Sequence, residues 1–223
     1  EVSKSDALVG DSVDIAWHAE YYFGGALARA EYQYSVLAQN YYFNPRDYSI
    51  YHFSVGSAYM DCLYWGSCDF QDSMITSGTG NLDAKWDALI HYDYEKWSTK
   101  GEQIYTYSLE VMDPDTQKTV NHAVSQIVHA TDAYVGIMAP YWNSGKNGVK
   151  LDGVVLSHSA EVIAGRTVGL ELIKREWKNV KKQWVDGVFY NEWAIEETKI
   201  DVTSVTSDAK WEFSHTFLSA TGG

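Results

Sequence analysis

Cysteine is nearly absent from this sequence of 223 residues, which contains only Cys62 and Cys68. The two residues are close enough in sequence to close a short loop, whereas a structural zinc site would need a second pair of ligands. We therefore expect one disulfide between Cys62 and Cys68, the state favoured in an oxidising compartment. Two free thiols in a reducing compartment are the alternative.

Long apolar runs and an excess of positive charge are also missing. The longest apolar runs, such as residues 133–140, are far shorter than the roughly 20 residues that a membrane-spanning helix needs. The 17 Lys and Arg residues face 30 Asp and Glu residues, which gives a formal net charge of −13. This balance argues against nucleic acid as a partner. Because the sequence begins with Glu1 instead of Met, we expect a secreted, extracellular protein whose signal peptide has been removed.

Catalytic signatures are absent as well. Ser159, next to His158, does not lie in a Gly-x-Ser-x-Gly motif, and no Gly-rich loop is followed by the Lys-Ser/Thr pair of a phosphate-binding site. The sequence therefore gives no support for nucleophilic catalysis, and whether the protein is an enzyme stays open.

Aromatic residues, by contrast, are abundant: the sequence has 9 Trp, 17 Tyr and 7 Phe, and 45% of its residues are hydrophobic. This content is sufficient for a self-supporting core, and we expect one globular domain over residues 1–223. Rings in this number can also form a stacking surface for a partner.

The spacing of apolar residues predicts a mainly α fold of four or five helices with a small C-terminal β element. Apolar residues recur three or four positions apart in five stretches, which are residues 12–40, 47–65, 82–97, 113–138 and 157–184. Ser12, Asp113 and Ser157 are suited to cap three of these helices. A hairpin turn at residues 113–115 and a strand at residues 167–172 are local alternatives.

Strand patterns are confined to shorter segments. Residues 105–111 alternate between apolar and polar, and Asp186-Gly187 between apolar flanks is typical of a tight hairpin. Residues 200–205 and 211–218 also have strand-like composition. An α+β fold with a β-rich second half is therefore the alternative to the mainly α fold.

Four residues are candidate metal ligands. On a helix, His158 with Glu161 would share a face, as would His91 with Glu95, because residues three or four apart are neighbours. Glu20 falls close to the predicted apolar stripe, where an ionised carboxylate needs a partner. His129 would instead lie on a solvated face, so we expect no ligand role for it.

Two aromatic clusters are candidate ligand-binding sites. Tyr141, Trp142 and Asn143 open a loop rich in turn-forming residues, and Tyr64 with Trp65 lie beside the cysteines. Tyr and Trp are favoured in binding sites because they bury a large area at little entropic cost.

These patterns favour a non-enzymatic extracellular binding or assembly protein that uses exposed aromatic residues to contact a glycan, a small molecule or a protein partner. A homo-oligomer is compatible with this function. The first alternative is a metal-dependent enzyme with a His/carboxylate site between helices. The second is a membrane-active toxin whose amphipathic helices rearrange.

Overall fold

The computed structural model describes residues 2–3, 6–21, 29–53, 73–94, 101–113, 116–138, 148–183, 189–208 and 212–218. In these ranges the chain forms twelve β-strands and one short 3-10 helix, Arg46–Tyr48. The strands are β1 (Asp6–Leu8), β2 (Ser12–His18), β3 (Glu31–Asn40), β4 (Ser73–Asn81), β5 (Asp87–Asp93), β6 (Gln103–Met112), β7 (Thr119–His129), β8 (Tyr134–Met138), β9 (Val149–Leu156), β10 (Thr167–Gln183), β11 (Phe189–Thr206) and β12 (Glu212–Phe217).

The chain divides into two compact units. Unit 1 comprises Glu1–Arg46 and Phe53–Tyr134, and unit 2 comprises Asp47–His52 and Val135–Gly223. The expectation of one globular domain stays a prediction, because two compact units can still unfold cooperatively.

Unit 1 is built from two sheets. The larger sheet has the strand order β1-β7-β6-β3-β4, and the smaller one consists of β2 and β5. All pairs are antiparallel except β1 with β7. Alternate residues of β2 enter the core, where Val13, Ile15 and Trp17 are buried. They pack with buried residues of β6, including Tyr105 and Leu109.

Tyrosine rings set the register between β3 and β4. Tyr34 lies opposite Gly78, and Tyr32 lies opposite Gly80. A methyl group added to Gly78 would come within 2.6 Å of the Tyr34 ring. Each tyrosine ring therefore lies over the backbone of the glycine opposite it. This pairing covers a position that has no side chain, and it fixes which residues of β3 and β4 oppose each other.

Unit 2 contains a three-stranded sheet of order β12-β9-β8 and the β10–β11 hairpin. Its buried apolar residues come from β9, β12 and the base of the hairpin, and they are Val154, Val155, Leu156, Val168, Leu170, Phe213 and Phe217.

The prediction of a mainly α fold is wrong, and so is the α+β alternative with a helical first half. Residues 12–18 alternate strictly between exposed and buried, although apolar residues in the same region also recur at helical spacing. Residues 113–118 connect β6 to β7 in a hairpin, in which the Asp113 backbone N donates to the Lys118 oxygen at 2.8 Å. The local alternative of a strand at residues 167–172 is correct, because these residues lie in β10. The alternative of a hairpin turn at residues 113–115 agrees with the bond of Asp113, while residues 114 and 115 lie outside the described residues.

Several strand predictions are confirmed. Residues 105–111 lie within β6, residues 200–205 lie within β11, and most of residues 211–218 form β12. The predicted hairpin is confirmed by the antiparallel pairing of β10 with β11, while Asp186 and Gly187 themselves lie outside the described residues. The expected disulfide is not supported: the described part of the chain contains none, and Cys62 and Cys68 lie outside it.

Candidate functional site

The β10–β11 hairpin is the most unusual surface in the described chain. Its strands pair over their whole length, from Thr167 opposite Thr206 to Gln183 opposite Phe189. Val168 and Leu170 at its base are buried, but every residue from 173 to 182 is exposed. Both faces of this outer part therefore meet solvent, unlike a strand pair that covers a core on one side.

A β-bulge separates the base of the hairpin from its exposed part. Leu172 pairs with Asp201, whereas the next residue, Ile173, pairs with Lys199, so that Ile200 is an extra residue on β11. Bulges bend a strand pair and increase its twist. Beyond this bulge the hairpin carries two faces of different chemistry.

The first face, here named the ring face, carries the large apolar side chains. Trp177 lies opposite Ile195, and Trp193 lies opposite Asn179 in the neighbouring row. The two tryptophans are 62% and 63% exposed. The ring face consists of Ile173, Arg175, Trp177, Asn179, Lys181, Phe189, Asn191, Trp193, Ile195, Glu197 and Lys199.

Charged groups on the ring face are already paired. Arg175 Nε contacts Glu197 Oε1 at 2.7 Å. The ammonium group of Lys181 lies 4.4 Å from the centre of the Phe189 ring, which is a cation–π geometry. A partner that contacts this face would therefore meet mainly apolar rings and not unpaired charges.

The opposite face, here named the ion-pair face, is mostly charged. Lys178 pairs with Glu196, and Lys182 Nζ lies 2.5 Å from Glu192 Oε2. These carboxylates raise the pKa of both lysines, and Lys174 lowers the pKa of Glu176. The face consists of Lys174, Glu176, Lys178, Val180, Lys182, Tyr190, Glu192, Ala194, Glu196 and Thr198.

Ser207 connects the base of the hairpin to the preceding loop through hydrogen bonds. It is buried; its hydroxyl donates to the Ile163 oxygen and accepts from the Arg166 backbone N, each at 3.0 Å. The backbone N of Gly165 donates to the Ser207 oxygen at 3.0 Å. These bonds hold the first residues of β10 and the last of β11 in place.

The structure places His91 on the exposed face of β5, where it contacts two carboxylates. Its Nδ1 is 2.7 Å from Asp14 Oδ1, and its Nε2 is 3.2 Å from Asp93 Oδ1. The hydrogen bond with Asp14 is the main cause that raises the pKa of His91. Residue 91 lies in a strand, so the prediction that His91 lies on a helix is wrong. Glu95, its predicted neighbour, lies outside the described residues.

Glu20 follows β2 and is exposed, which corrects the expectation that it lies beside an apolar stripe. Its nearest described partner is His18, whose Nε2 lies 3.9 Å from Glu20 Oε2. His18 Nδ1 in turn contacts Asp87 Oδ1 at 2.7 Å, and this hydrogen bond raises the pKa of His18. Glu20 thus lies near His18, whereas His91 contacts Asp14 and Asp93.

His158 and Glu161 lie in the turn after β9, not at the start of a helix. The Glu161 backbone N donates to the Ser157 hydroxyl at 3.1 Å, which shapes this turn. Within the described residues, the structure brings together no three His, Cys, Asp or Glu side chains in an arrangement that could hold a metal ion. The metal-ligand roles of His158, Glu161, Glu20 and His91 stay predictions.

His129 corrects the expectation of a solvated histidine. It is buried, and its Nδ1 lies 2.6 Å from the hydroxyl of Tyr134. The Tyr134 ring stacks on Phe43 with 3.9 Å between ring centres, and burial raises the pKa of the Tyr134 phenol. These side chains belong to the interior of unit 1.

The predicted ligand-binding residues Tyr141, Trp142, Asn143, Tyr64 and Trp65 lie outside the described residues. Sequence reasoning missed the ring face because it assigned Trp177 to a helix. Asp186-Gly187 was a signal for strands here, but a two-residue turn at these positions would pair Trp177 with Glu196 and Trp193 with Val180, on opposite faces. The observed register, in which Gln183 pairs with Phe189, is what places Trp177 and Trp193 on one face.

Comparisons with known proteins show a fold and no family. The sequence matches no protein-family model and no curated protein. Its structure is similar to native E. coli alpha-2-macroglobulin, with a TM-score of 0.64 and 11% identity over 96% of this chain and 14% of that chain. A Salmonella alpha-2-macroglobulin mutant has a TM-score of 0.61 and 10% identity, over 97% of this chain and 15% of that one.

A third similar structure is E. coli alpha-2-macroglobulin activated by porcine elastase, with a TM-score of 0.60 and 10% identity over 97% of this chain and 19% of that one. The chain therefore spans less than a fifth of the length of each of these proteins. In the described ranges, no helix is long and apolar enough to cross a membrane.

Proposed function

We propose that this chain is a non-enzymatic, extracellular binding or assembly module that binds a protein partner through the ring face of its β10–β11 hairpin. One observation carries the proposal: Trp177 and Trp193 are both more than three-fifths exposed and lie in neighbouring rows of one face. Tryptophan is enriched among the residues that dominate binding energy in protein interfaces.

The outer part of the hairpin has only two strands and no covered face, which supports a protein partner. A two-stranded hairpin without a covered face is at best marginally stable in water. Beyond its bulge this hairpin has no core of its own, yet it continues to Gln183 and Phe189. A protein surface laid along the ring face would supply the missing apolar contacts.

The electrostatics of the ring face support a protein over a polyanion or an anionic membrane. Arg175 is neutralised by Glu197, and Lys199 Nζ contacts Glu171 Oε1 at 2.7 Å. The chain as a whole has a formal net charge of −13. Long-range attraction to phosphate groups is therefore weak, and apolar burial becomes the main source of affinity.

The structural comparison adds a context for this proposal. The resembling part of alpha-2-macroglobulin is a small fraction of a much longer chain, and one such structure is described as activated by porcine elastase, which is a protein. We propose by analogy that this chain also works as one part of a larger extracellular assembly.

Site-specific photo-crosslinking tests the proposal. The photoreactive residue p-benzoylphenylalanine is placed at Asn179 on the ring face or, as a matched control, at the next residue, Val180, on the ion-pair face. We expect a protein adduct in the native host or its medium from position 179 and none from position 180. The adduct should disappear when Trp193→Ala is added.

Three results would contradict the proposal. Equal adducts from both positions would mean that the ring face has no special role. Binding to a glycan array that Trp193→Ala abolishes would replace the protein partner with a glycan. Binding to lipid vesicles with the same dependence would favour the membrane-active alternative.

A further inference from the structure

Within the described residues, the outer edge of β4 in unit 1 carries none of the usual protection of an edge strand. β4 ends the five-stranded sheet, and among the described residues no strand pairs with its outer side. Its sequence, SMITSGTGN, contains no charged residue and no proline. Natural edge strands are normally blunted by such residues, because free backbone groups recruit further strands.

A cleft lies beside this edge, between β4 and β5. Its volume is about 380 Å³, and it is lined by Tyr34, Ile75, Thr76, Ile90, His91, Tyr92 and Asp93. The β3–β4 register shifts next to Ile75, which makes Ile75 an extra residue in β4. A bulge of this kind changes the direction of a side chain, and here the bulged residue lines the cleft.

Two carboxylates lie at the cleft. The Asp93 side chain is 75% exposed and contacts His91, which in turn contacts Asp14. The lining also includes two tyrosines and two isoleucines. A ligand that fits this arrangement combines an apolar side chain with a positive charge two residues away, on the same face of an extended segment.

We propose that the cleft binds an extended basic peptide segment of a partner, which adds as a strand to the outer edge of β4, where no described strand pairs. One apolar side chain of the peptide enters the cleft between Tyr34 and Ile75, and a Lys or Arg side chain pairs with Asp93. Strand addition obtains its affinity from main-chain hydrogen bonds and its specificity from pockets for alternate side chains. This site is separate from the ring face and does not depend on its role.

Titration with synthetic peptides tests the proposal on the full chain labelled with ¹⁵N. The probe is the capped peptide Thr-Lys-Thr-Ile-Thr-Arg-Thr, in which Lys, Ile and Arg share one face of an extended strand, and the comparison peptide has Glu in place of Lys and Arg. We expect the basic peptide to shift the amide signals of residues 73–81 and to slow their hydrogen exchange. The acidic peptide should bind at least about tenfold more weakly.

Two variants locate the contact. Ile75→Lys adds a charge in the cleft and should weaken binding of the basic peptide at least about tenfold. Met74→Lys adds the same charge at the neighbouring exposed residue, which does not line the cleft, and should have little effect. Asp93→Asn, a change at an exposed position, should reduce the preference for the basic over the acidic peptide.

Several outcomes would overturn the proposal. Equal affinity for both peptides would exclude recognition by Asp93, and shifts without slowed exchange in β4 would exclude strand addition. Self-association of the chain that Ile75→Lys abolishes without any peptide would mean that the occupant is a second copy. Amide spectra of each variant establish that it is folded before binding is compared.

Discussion

The ring of Phe213 lies directly over the backbone of Gly153 in the strand pair β9–β12. The two residues are partners in the register, and a methyl group added to Gly153 would fall inside the space of the Phe213 ring. Phe213 is buried, so its ring has no solvent to move into. A glycine is thus required at position 153 by packing.

Gly153→Ala should therefore destabilise the protein. We expect a loss of about 1–3 kcal/mol in the free energy of unfolding, the usual cost of overpacking a core. Gly169→Ala is the matched control, because a methyl group there meets no atom within 4 Å. Urea unfolding followed by circular dichroism measures both variants. Equal stabilities would show that the Phe213 ring does not confine this position.

Ser207→Ala should loosen the base of the hairpin. The change removes a hydroxyl that bonds the Ile163 oxygen and the Arg166 backbone N, and losing such partners in a buried site costs about 1–3 kcal/mol. Ser204→Ala, at an exposed position of β11 three residues earlier, should change the unfolding free energy by less than about 0.5 kcal/mol. Urea unfolding distinguishes the two; a Ser207→Ala variant as stable as the control would contradict the account.

His91 should titrate above its ordinary pKa of 6.5, mainly because of its hydrogen bond with Asp14. A raised folded-state pKa stabilises the fold below pH 6.5, and this contribution is lost as the pH rises through the raised pKa. Asp14→Asn should lower the pKa of His91, measured by NMR of the imidazole signals. Asp87→Asn should instead lower the pKa of His18. An unchanged His91 pKa in Asp14→Asn would contradict the assigned cause.

The strands that the sequence predicted are those with clean alternation and clear turn residues. Residues 105–111 alternate without competing helical spacing, and Asp186-Gly187 predicts a hairpin, which the pairing of β10 with β11 confirms. In residues 12–18, alternation and helical spacing coexist, and the observed strand follows the alternation. Ala16 is exposed, whereas its neighbour Trp17 is buried. Cross-strand partners decide such cases, and they are not visible in a local window.

The aromatic residues that the sequence predicts for ligand binding lie outside the described residues, and their role stays a prediction. Tyr94, Tyr105 and Tyr107 fill the interior of unit 1, where burial raises the pKa of Tyr94 to about 12. Trp177 and Trp193 are exposed. A single sequence gives the number of rings, but only the strand pairing and the β-bulge determine which of them share an exposed face.

The affinity of the ring-face variants for the protein captured at position 179 tests the central claim most directly. Truncating one tryptophan at an interface centre commonly costs 2 kcal/mol or more. The double variant Trp177→Ala/Trp193→Ala should therefore bind at least about 100-fold more weakly, with an unchanged circular dichroism spectrum. Tyr190→Ala, an aromatic truncation on the ion-pair face, should change the affinity less than about threefold. Unchanged affinity in the double variant would contradict the account.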